Sequence, residues 1–532
     1  MKTIDEVLLD WEAVIGLEVH TELTTLQTKM FCSCAFDFGE AANSEVCPVC
    51  LGLPGALPVP NQAAIESIVL AGLATGCDIM PDTMFYRKHY FYPDMTKNYQ
   101  ITQGPLAFCM NGEIELEVSG KAAEQRIDQQ GTMPLTSEPD QSTSQTEGYR
   151  TKIGITRIHM EEDAGKLIHI GGTDGRITGA DYSLVDYNRC GTPLIELVTE
   201  PDLRTPEEAR LFLQKLRLIY LTLGISNVSM EEGSLRCDGN ISLRRRGDQQ
   251  FGTKTELKNM NSFRNLHDGL EYEICRQAEV LENGGLVRQE TRHWEPATKR
   301  TIAMRSKEAA EDYRYFPDPD LTPFHLTDEF IESIRARLAE LPDDKNNRYV
   351  EKLGLPLVDA ANLAGDPQLS SFFEAAFATL SDNLANESAV SELARPIANL
   401  LLNDVSAWLN QTGTALADAL FTPSGIAALV SLGQDGTLSS RQLKDVFAEM
   451  ATSGKSPTEI VEEQGLRQVS DSAAIEGFIT KAMAANPDKV AEYQAGKTGL
   501  LGFFVGQVMR EMQGQGNPRL ISEMLSKRLD EN

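Results

Sequence analysis

The chain has little positive charge. Its 532 residues include 49 Lys and Arg against 78 Asp and Glu, which gives a formal net charge of −29 at pH 7. Contacts with nucleic-acid phosphates come mainly from Lys and Arg, so this balance argues against a broadly basic binding surface. A nucleic-acid partner would have to be bound through local patches or by its shape.

The sequence also lacks long apolar runs and targeting signals. No stretch approaches the roughly 20 apolar residues that a membrane helix needs. Residues 1–10 are acidic and contain neither a signal-peptide core nor an Arg-rich transit pattern. The hydrophobic fraction of 41% is ordinary for a globular protein. We therefore expect a cytoplasmic protein with no membrane partner.

A glycine-rich phosphate loop is missing as well. No Gly-x-x-x-x-Gly-Lys-Ser/Thr run occurs, so any nucleotide must be held in another way. The length excludes a single hydrophobic core and indicates roughly three domains.

One charged strand pattern stands out among the features that are present. In 155–162, strand alternation places Arg157, His159 and Glu161 on one face, opposite apolar residues. Glu162 and a further acid follow directly, and carboxylates are the hard oxygen ligands that Mg²⁺ prefers. A solvated strand edge would explain this stretch equally well if it occurred only once.

Similar patterns recur in four other stretches, each with charged or imidazole side chains on one face: Glu18 and His20 in 13–20, Glu196 and Glu200 in 192–200, Arg236 and Asp238 in 234–242, and Glu256 and Lys258 in 253–259. A single antiparallel sheet with one face on the core and the other lining an acidic site accounts for all of them. Such a face suits a divalent metal and the phosphates of a nucleotide.

Four of the nine cysteines form two close pairs, Cys32 with Cys34 and Cys47 with Cys50. Two close pairs across a short loop can converge as a tetrahedral thiolate site, and the cytoplasm disfavours disulfides. We expect a structural zinc site in the loop 32–50; the alternative is four buried thiols.

The aromatic stretch 86–94 could stack on a base but is better explained by packing, which leaves Arg87, Lys88 and His89 as its functional candidates. Residues 119–150 are rich in polar residues and predict a flexible surface insertion.

Helical patterns at 62–75, 206–223 and 265–283 alternate with the strands. They predict an α+β domain over 1–318, with the sheet covered on one side. A proline-rich connector, 314–323, follows, and from there helical periodicity dominates. We expect an all-α linker domain at 319–420 and an all-α tail domain at 421–532.

Seven motifs closely resemble the B subunits of the bacterial tRNA-dependent amidotransferases: 14–20, 90–94, 159–166, 191–196, 230–238, 256–259 and 312–320. The resemblance extends from about residue 11 to near the C-terminus. It implies a catalytic (cradle) domain similar to that of glutamine synthetase. It also implies a tail domain that binds tRNA, here through Lys497, Arg510, Arg519, Lys527 and Arg528.

The implied activity is an ATP- and Mg²⁺-dependent phosphorylation of the side-chain carboxylate of Glu-tRNA(Gln) or Asp-tRNA(Asn), or of both. Ammonia then displaces the phosphate. This chain has no Cys or Ser in a glutaminase-like setting, so a separate amidase (glutaminase), the A subunit of such a complex, would supply the ammonia. A small C subunit would be a further partner. Two other readings remain open: a non-catalytic tRNA-binding scaffold, and a glutamine-synthetase-like ligase that acts on a small acid.

The resemblance also suggests roles for the charged residues. The magnesium ligands would be Glu18, His20, Glu162 and Glu196, with Glu161 as the alternative to Glu162 and Glu200 also beside the cofactors. Arg157, Arg236 and Lys258 would neutralise phosphoryl charge. The other catalytic candidates are His159, Glu161, Asp238 and Glu256.

Overall fold

The computed structural model describes residues 2–37, 39–120, 125, 132–134, 148–171, 179–304, 313–381, 387–466, 472–512, 516 and 518–530. The chain divides into two compact units, 1–341 and 342–532. The predicted insertion at 119–150 falls largely outside the described residues.

The first unit is built on strands. They run Trp11–Glu22 (β1), Asp78–Ile79 (β2), Asp82–Thr83 (β3), Phe85–His89 (β4), Tyr99–Gln103 (β5), Cys109–Val118 (β6), Thr132–Pro134 (β7), Tyr149–Glu162 (β8), Lys166–Ile170 (β9), Tyr182–Asp186 (β10), Pro193–Thr199 (β11), Leu235–Arg245 (β12), Thr255–Lys258 (β13), Thr291–Glu295 (β14), Arg300–Ala303 (β15), Phe316–Pro317 (β16) and Phe324–His325 (β17). Its helices are Ile4–Asp10, Gln62–Ala74, Pro206–Leu223, Phe263–Glu282 and Asp328–Arg335.

A large sheet holds most of these strands in the order β15-β14-β13-β12-β1-β11-β8-β5-β4-β16, with β2, β6 and β7 joined beside β8. The sequence predicts an antiparallel sheet, but the sheet is mixed because β13 and β14 pair in parallel. The physical reason is the helix Phe263–Glu282 between them, since a helical crossover returns the chain in the same direction.

The apolar face of the sheet carries the core. Along β1, Ile15, Leu17 and Val19 are buried while Glu18 and His20 are only half-buried, as strand alternation requires. The buried residues belong to the same hydrophobic cluster as Phe212 and Leu270, which come from the two longest helices of this unit. Burial of each such side chain contributes about 1.5–3 kcal/mol. The opposite face of β1 is thereby left for polar groups.

The second unit is helical. Its helices are Pro342–Glu351, Leu357–Ala364, Pro367–Ser381, Glu387–Asn399, Ser406–Thr412, Pro423–Gln434, Ser440–Ser453, Pro457–Gln464, Ser472–Ala484, Pro487–Gln494, Leu501–Glu511 and Pro518–Asp530, with short 3₁₀ turns at Leu416–Asp418 and Thr498–Leu500. The all-α character predicted for the C-terminal part is confirmed.

The helical unit includes a change of helix type. A π-helical stretch, Leu400–Val405, separates Glu387–Asn399 from Ser406–Thr412. Pro396 precedes this stretch and has no N–H to donate to the carbonyl of Glu392. The Gln434 side chain donates to that carbonyl instead, at 2.8 Å. Irregular turns of this kind arise where the regular hydrogen-bond ladder is interrupted.

Hydrophobic side chains in the second unit form two clusters, one from Tyr349 to Val461 and one from Ile475 to Leu529. The predicted boundaries at 318/319 and 420/421 do not coincide with these clusters. Ile334 packs in the core of the first unit, and Ile426 shares a cluster with Phe373. The division into three domains stays a prediction.

No described helix has both the length and the apolar composition that a membrane span requires.

Candidate functional site

Strand register brings the predicted residues of four strands together. β1 lies between β12 and β11, and β11 pairs with β8. Directly opposed positions form one row across the sheet: Arg236, His20, Glu196 and His159. The next row on the same face contains Asp238, Glu18 and Arg157. Because neighbouring strands lie about 4.8 Å apart, these side chains meet although their positions are far apart in sequence.

His20 lies at the centre of this face. Its Nε2 is 3.1 Å from Glu196, 3.6 Å from Glu18 and 3.9 Å from Glu161. His159 Nε2 lies 3.5 Å from Glu196 and 3.7 Å from Glu161. Three carboxylates therefore surround two imidazoles on a face that is mostly shielded from water.

Electrostatics divide the protons unequally among these groups. Burial raises the pKa of Glu161 to about 8, and the neighbouring Glu196 adds to the effect. Burial also acts on Glu196, but His20 and His159 outweigh it and hold the pKa of that carboxyl well below its usual range. The coupled pair of carboxyls therefore holds one proton at neutral pH.

The two histidines differ as well. Burial lowers the pKa of His159 to about 4, so its ring is neutral at pH 7. Its Nδ1 is buried and has no hydrogen-bond partner within the described part of the chain. For His20, burial is outweighed by the hydrogen bond to Glu196 and the nearby carboxylates, which together raise its pKa. Burial and the charge of Glu196 raise the pKa of Glu18.

The donor atoms form two overlapping sets. One set comprises Glu18, His20 and Asp238, and the other His20, Glu161 and Glu196; within each, ligand atoms lie within 4.8 Å of one another. Oxygen donors with one imidazole suit a hard divalent cation. The residues therefore fit a magnesium ion, and Asp238 joins the donors although the sequence analysis placed it among the catalytic candidates.

Glu162 and Glu200 lie outside both donor sets. Glu162 points to the opposite side of β8, where it pairs with Lys97 at 2.6 Å and accepts from the backbone N–H of Ile101 at 2.9 Å. Strand alternation separates it from Glu161, so the alternative assignment fits the geometry and Glu162 as a magnesium ligand does not. Glu200 follows a β-bulge at the end of β11 and accepts from the Thr156 hydroxyl at 2.6 Å.

Two of the predicted cations are held by acids. Lys258 lies 2.5 Å from Asp238 and 3.0 Å from Glu256. Arg236 lies 2.6 Å from Asp163. Both cations therefore border the cluster, held in place by carboxylates.

Asp163 also acts on an acid at the end of β1. Burial and the charge of Asp163 raise the pKa of Glu22 to about 8.

Arg157 differs from Lys258 and Arg236 because, among the described residues, it forms no ion pair within 4.0 Å. Its charge is available to an anionic ligand.

Lys88 and Tyr315 were not assigned to this site from the sequence, although Lys88 was a candidate in its own stretch. Lys88 lies on β4, two strands from β8, and its charge acts on Glu161 and His159. Burial raises the pKa of Tyr315, with Lys88 opposing and Glu161 adding to the effect. The other two candidates are tied elsewhere: Arg87 lies 2.8 Å from Asp318, and His89 Nδ1 lies 3.2 Å from a backbone carbonyl.

The four predicted cysteines also come together. Their sulfur atoms all lie within 4.8 Å of one another, so the cluster could hold a metal ion. The backbone N–H of Cys47 donates to Cys50 Sγ at 3.1 Å. The Cys32 thiol and other donors lower the pKa of Cys50 to about 4, while burial raises the pKa of Cys34 to about 11. The remaining five cysteines are buried and lie outside this cluster.

The predicted tRNA-binding cations lie in the last helices of the second unit or just before them. Arg510 and Lys527 are exposed. Lys497 lies 3.1 Å from Glu492, and Arg528 lies 3.5 Å from Glu476, both at the surface. Arg519 belongs to the helix Pro518–Asp530, and its side chain falls outside the described residues.

The sheet with its polar face corresponds to a known catalytic domain. A family model described as the GatB/GatE catalytic domain matches residues 13–332, and a second, described as a GatB domain, matches residues 383–529. The chain belongs to the GatB family. The resemblance inferred from the seven motifs is thereby confirmed.

Full-length relatives of the GatB family support this assignment. Proteins named as the B subunit of aspartyl/glutamyl-tRNA(Asn/Gln) amidotransferase are similar to this chain. The relative in Carboxydothermus hydrogenoformans is 46% identical over 98% of this chain and 99% of its own length. The relative in Geobacter sp. strain M21 is 47% identical over 98% of this chain and 100% of its own length. The relative in Trichodesmium erythraeum is 43% identical over 100% of both chains. The similarity covers the sheet unit and the helical unit.

Proposed function

We propose that this chain activates the substrate within a tRNA-dependent amidotransferase complex. It phosphorylates the side-chain carboxylate of Glu-tRNA(Gln), Asp-tRNA(Asn) or both with ATP and Mg²⁺. Ammonia from a partner glutaminase then displaces the phosphate and leaves the amide. The chain works in the cytoplasm, and its partners are the amidase, which is the A subunit of the complex, and the small C subunit.

One observation carries this proposal: the two donor sets share His20 on a single polar face. These donors would hold a magnesium ion, whose positive charge would offset the charge that develops during phosphoryl transfer. Such a double set suits the polyphosphate of a nucleotide. Because the sequence has no glycine-rich phosphate loop, ions and side chains would have to hold this polyphosphate. The family resemblance implies a likeness to the catalytic domain of glutamine synthetase. That ligase also activates a glutamyl carboxylate.

The residues of the chain have distinct tasks in this proposal. Glu161 would hold a cation in its ionised form, so its carboxyl proton would be released on binding. His159 stays neutral and offers a nitrogen lone pair or an N–H in the buried part of the site. Arg157, which has no carboxylate partner among the described residues, meets the transferred phosphoryl group. Lys258 and Arg236 keep the neighbouring acids oriented and add positive charge.

The second metal of the proposal is a structural zinc at Cys32, Cys34, Cys47 and Cys50. Four thiolates leave no open coordination position, so this ion takes no part in the reaction. Its task is to hold the loop 32–50 against the sheet. The tail cations would meet the tRNA backbone as a local patch on an acidic protein.

The test is conversion of labelled Glu-tRNA(Gln) and Asp-tRNA(Asn) to their amides by the complex with its amidase partner, wild type against Glu18→Ala. We expect the variant to lose at least about 100-fold in rate, since it removes a donor at the activating site. Retained binding of aminoacyl-tRNA would show that the tail still works. The comparison of the two tRNAs identifies the substrate.

Ammonium chloride in place of glutamine separates activation from ammonia delivery. Wild type should form amide from ammonium, whereas Glu18→Ala should not, because the carboxylate is never activated. Glu113→Gln is the matched control: this acid lies on β6 of the same sheet, is half exposed and belongs to neither donor set. Full activity of Glu18→Ala would mean that activation occurs at another site, and it would favour the alternative that this chain is a non-catalytic tRNA-binding scaffold.

A further inference from the structure

The structure buries a lysine next to the cysteine cluster. Lys29 is fully inaccessible to solvent and is among the largest side chains with no exposure. Lysine is almost never fully buried unless its charge is paired. Yet no carboxylate of the described chain lies within 4.0 Å of its ammonium group. The nearby Glu45 is influenced by the charge of Lys29 but forms no such ion pair.

The Lys29 ammonium has three donors and three acceptors. Nζ lies 2.8 Å from the carbonyl of Glu45, 3.4 Å from the carbonyl of Tyr187 and 3.8 Å from Cys50 Sγ. Two of these acceptors are neutral backbone groups. The sulfur of Cys50 is therefore the acceptor that can carry the compensating negative charge.

Cys50 receives a second donor, the backbone N–H of Cys47 at 3.1 Å. A neutral thiol is a weak acceptor, whereas a thiolate accepts strongly from charged donors. Two donors on one sulfur therefore favour the thiolate form of Cys50 over the thiol. Four thiolates around one divalent ion would leave a centre with two excess negative charges, and burial makes such a charge costly unless a cation lies beside it.

We propose that Lys29 is the positioning residue that supplies the counter-charge of a divalent metal centre at the four cysteines. The inference rests on the metal centre of the proposed function. Lys29 would act through Cys50, with which it shares a hydrogen bond, and not as a ligand. Its backbone strengthens the arrangement, because its N–H donates to the carbonyl of Cys34 at 2.9 Å. One residue thus contacts both cysteine pairs.

Gly191 shows how closely this layer is packed. A Cβ added there would lie 3.6 Å from Lys29 Cδ and 3.7 Å from the Cβ of Cys50. The lysine stem therefore lies in a closed space between the cysteine loop and the segment that leads into β11.

The first experiment measures metal content and affinity in the full-length chain by competition with a chromophoric zinc chelator. Lys29→Gln keeps a polar side chain for the carbonyls and removes the charge, and exposed Lys152→Gln is the matched control. We expect zinc affinity to fall about 10- to 100-fold in Lys29→Gln, the range for changes around metal ligands, and to be unchanged in Lys152→Gln. Wild type without bound zinc would refute the metal centre itself. Equal zinc affinity in wild type and Lys29→Gln would refute the role of Lys29.

A double-mutant cycle distinguishes charge from packing. Cys34→His replaces one thiolate by a neutral ligand, so the centre needs less positive charge. If Lys29 acts by charge, Lys29→Gln should cost less zinc affinity in the Cys34→His background than in wild type. An equal cost in both backgrounds would reduce Lys29 to a packing residue and overturn the proposal. If Lys29→Gln alone fails to fold, recovery of folding in the double variant supports the proposal, and failure of the double variant beside a folded Cys34→His contradicts it.

Cobalt substitution supplies a spectroscopic readout that packing would not change. An ammonium beside a thiolate lowers the energy of the sulfur electrons. We therefore expect the sulfur-to-cobalt charge-transfer band to shift to longer wavelength in Lys29→Gln. An unshifted band in a folded, cobalt-loaded variant would contradict the inference.

Discussion

The two candidate metal-binding clusters of this protein are built in opposite ways. The cysteine cluster takes its ligands from one short loop, positions 32 to 50, and from a single side-chain type. The cluster on the sheet face takes Glu18, Glu161, Glu196 and Asp238 from four strands and joins them around His20. Soft sulfur donors select zinc and hard oxygen donors select magnesium. The first site depends on a loop conformation, and the second depends on strand register.

The strongest test of this contrast compares two adjacent acids. Glu162→Gln should destabilise the first unit by about 3–5 kcal/mol, because it leaves the buried Lys97 without its partner. Glu161→Gln should leave stability nearly unchanged and lower amide formation about 100-fold. Urea denaturation and the amidation assay measure the two effects. The reverse pattern would place Glu162 in the site.

Removing the metal from the cysteine cluster should affect stability and leave the sheet face intact. If zinc is present at about 1,000 times its dissociation constant, chelation lowers the free energy of unfolding by about 4 kcal/mol. Thermal unfolding with and without a zinc-selective chelator measures this. Magnesium binding by the chelated protein at low temperature is the control. Loss of both metals together would mean that the two clusters are not independent.

The pH dependence should distinguish the sheet face. The pKa of Glu161 is raised to about 8, so below that pH a magnesium ion must displace its proton. Affinity should rise by at least about tenfold per pH unit below pH 8 and then level off, because His20, whose pKa is also raised, must lose a proton as well to act as a ligand. Calorimetry in buffers of different ionisation enthalpy measures the released proton. Glu161→Gln should bind more weakly and show a smaller slope; an unchanged slope would assign the proton to another group.

The folding stability of the metal-free protein should change with pH in the opposite direction to the magnesium affinity. Because the folded protein holds the Glu161 proton more tightly than the unfolded chain does, stability from this group is complete below the unfolded pKa near 4.5 and is lost as pH rises toward 8. Glu22, whose pKa is also raised to about 8, acts in the same direction. Urea denaturation in a metal chelator from pH 5 to pH 9 checks the sign.

The smallest expected effect concerns the tail. Lys527→Ala should weaken tRNA binding and reduce the salt dependence of log Kd by about one unit, as for loss of one phosphate contact. Lys497→Ala should have less effect because Lys497 is already beside Glu492. Filter binding over a range of salt concentrations measures both. Equal slopes for Lys527→Ala and wild type would remove Lys527 from the tRNA surface.

The sequence analysis was most successful where local chemistry is decisive. The helix predicted at 206–223 has the observed bounds because Thr205 caps its first turn, proline occupies the first position and Gly224 ends it with φ +66°. The five charged strands were recognised by their alternation, and the cysteine loop by its spacing. Each of these signals lies within about 20 residues of chain.

Less could be predicted where distant segments meet. Alternation put Glu161 beside His159, yet the resemblance favoured Glu162. In the structure Glu162 lies on the other side of β8, where it pairs with Lys97. Glu200 was expected beside Glu196, but the bulge at Val198 and Thr199 ends that alternation. Lys88 acts on Glu161 from two strands away, and sequence spacing carries no information about that neighbour.

Local sequence accounts for the elements of this protein, the apolar and polar faces of its strands, the cysteine pairs and the membership of its family. These follow from side-chain alternation, capping and spacing, which act between near neighbours in the chain. The tertiary structure alone decided which acids share a proton, which cations are already paired and why Lys29 is buried beside Cys50. Those properties depend on distances of 3–4 Å between residues remote in sequence, and on the exclusion of water around them.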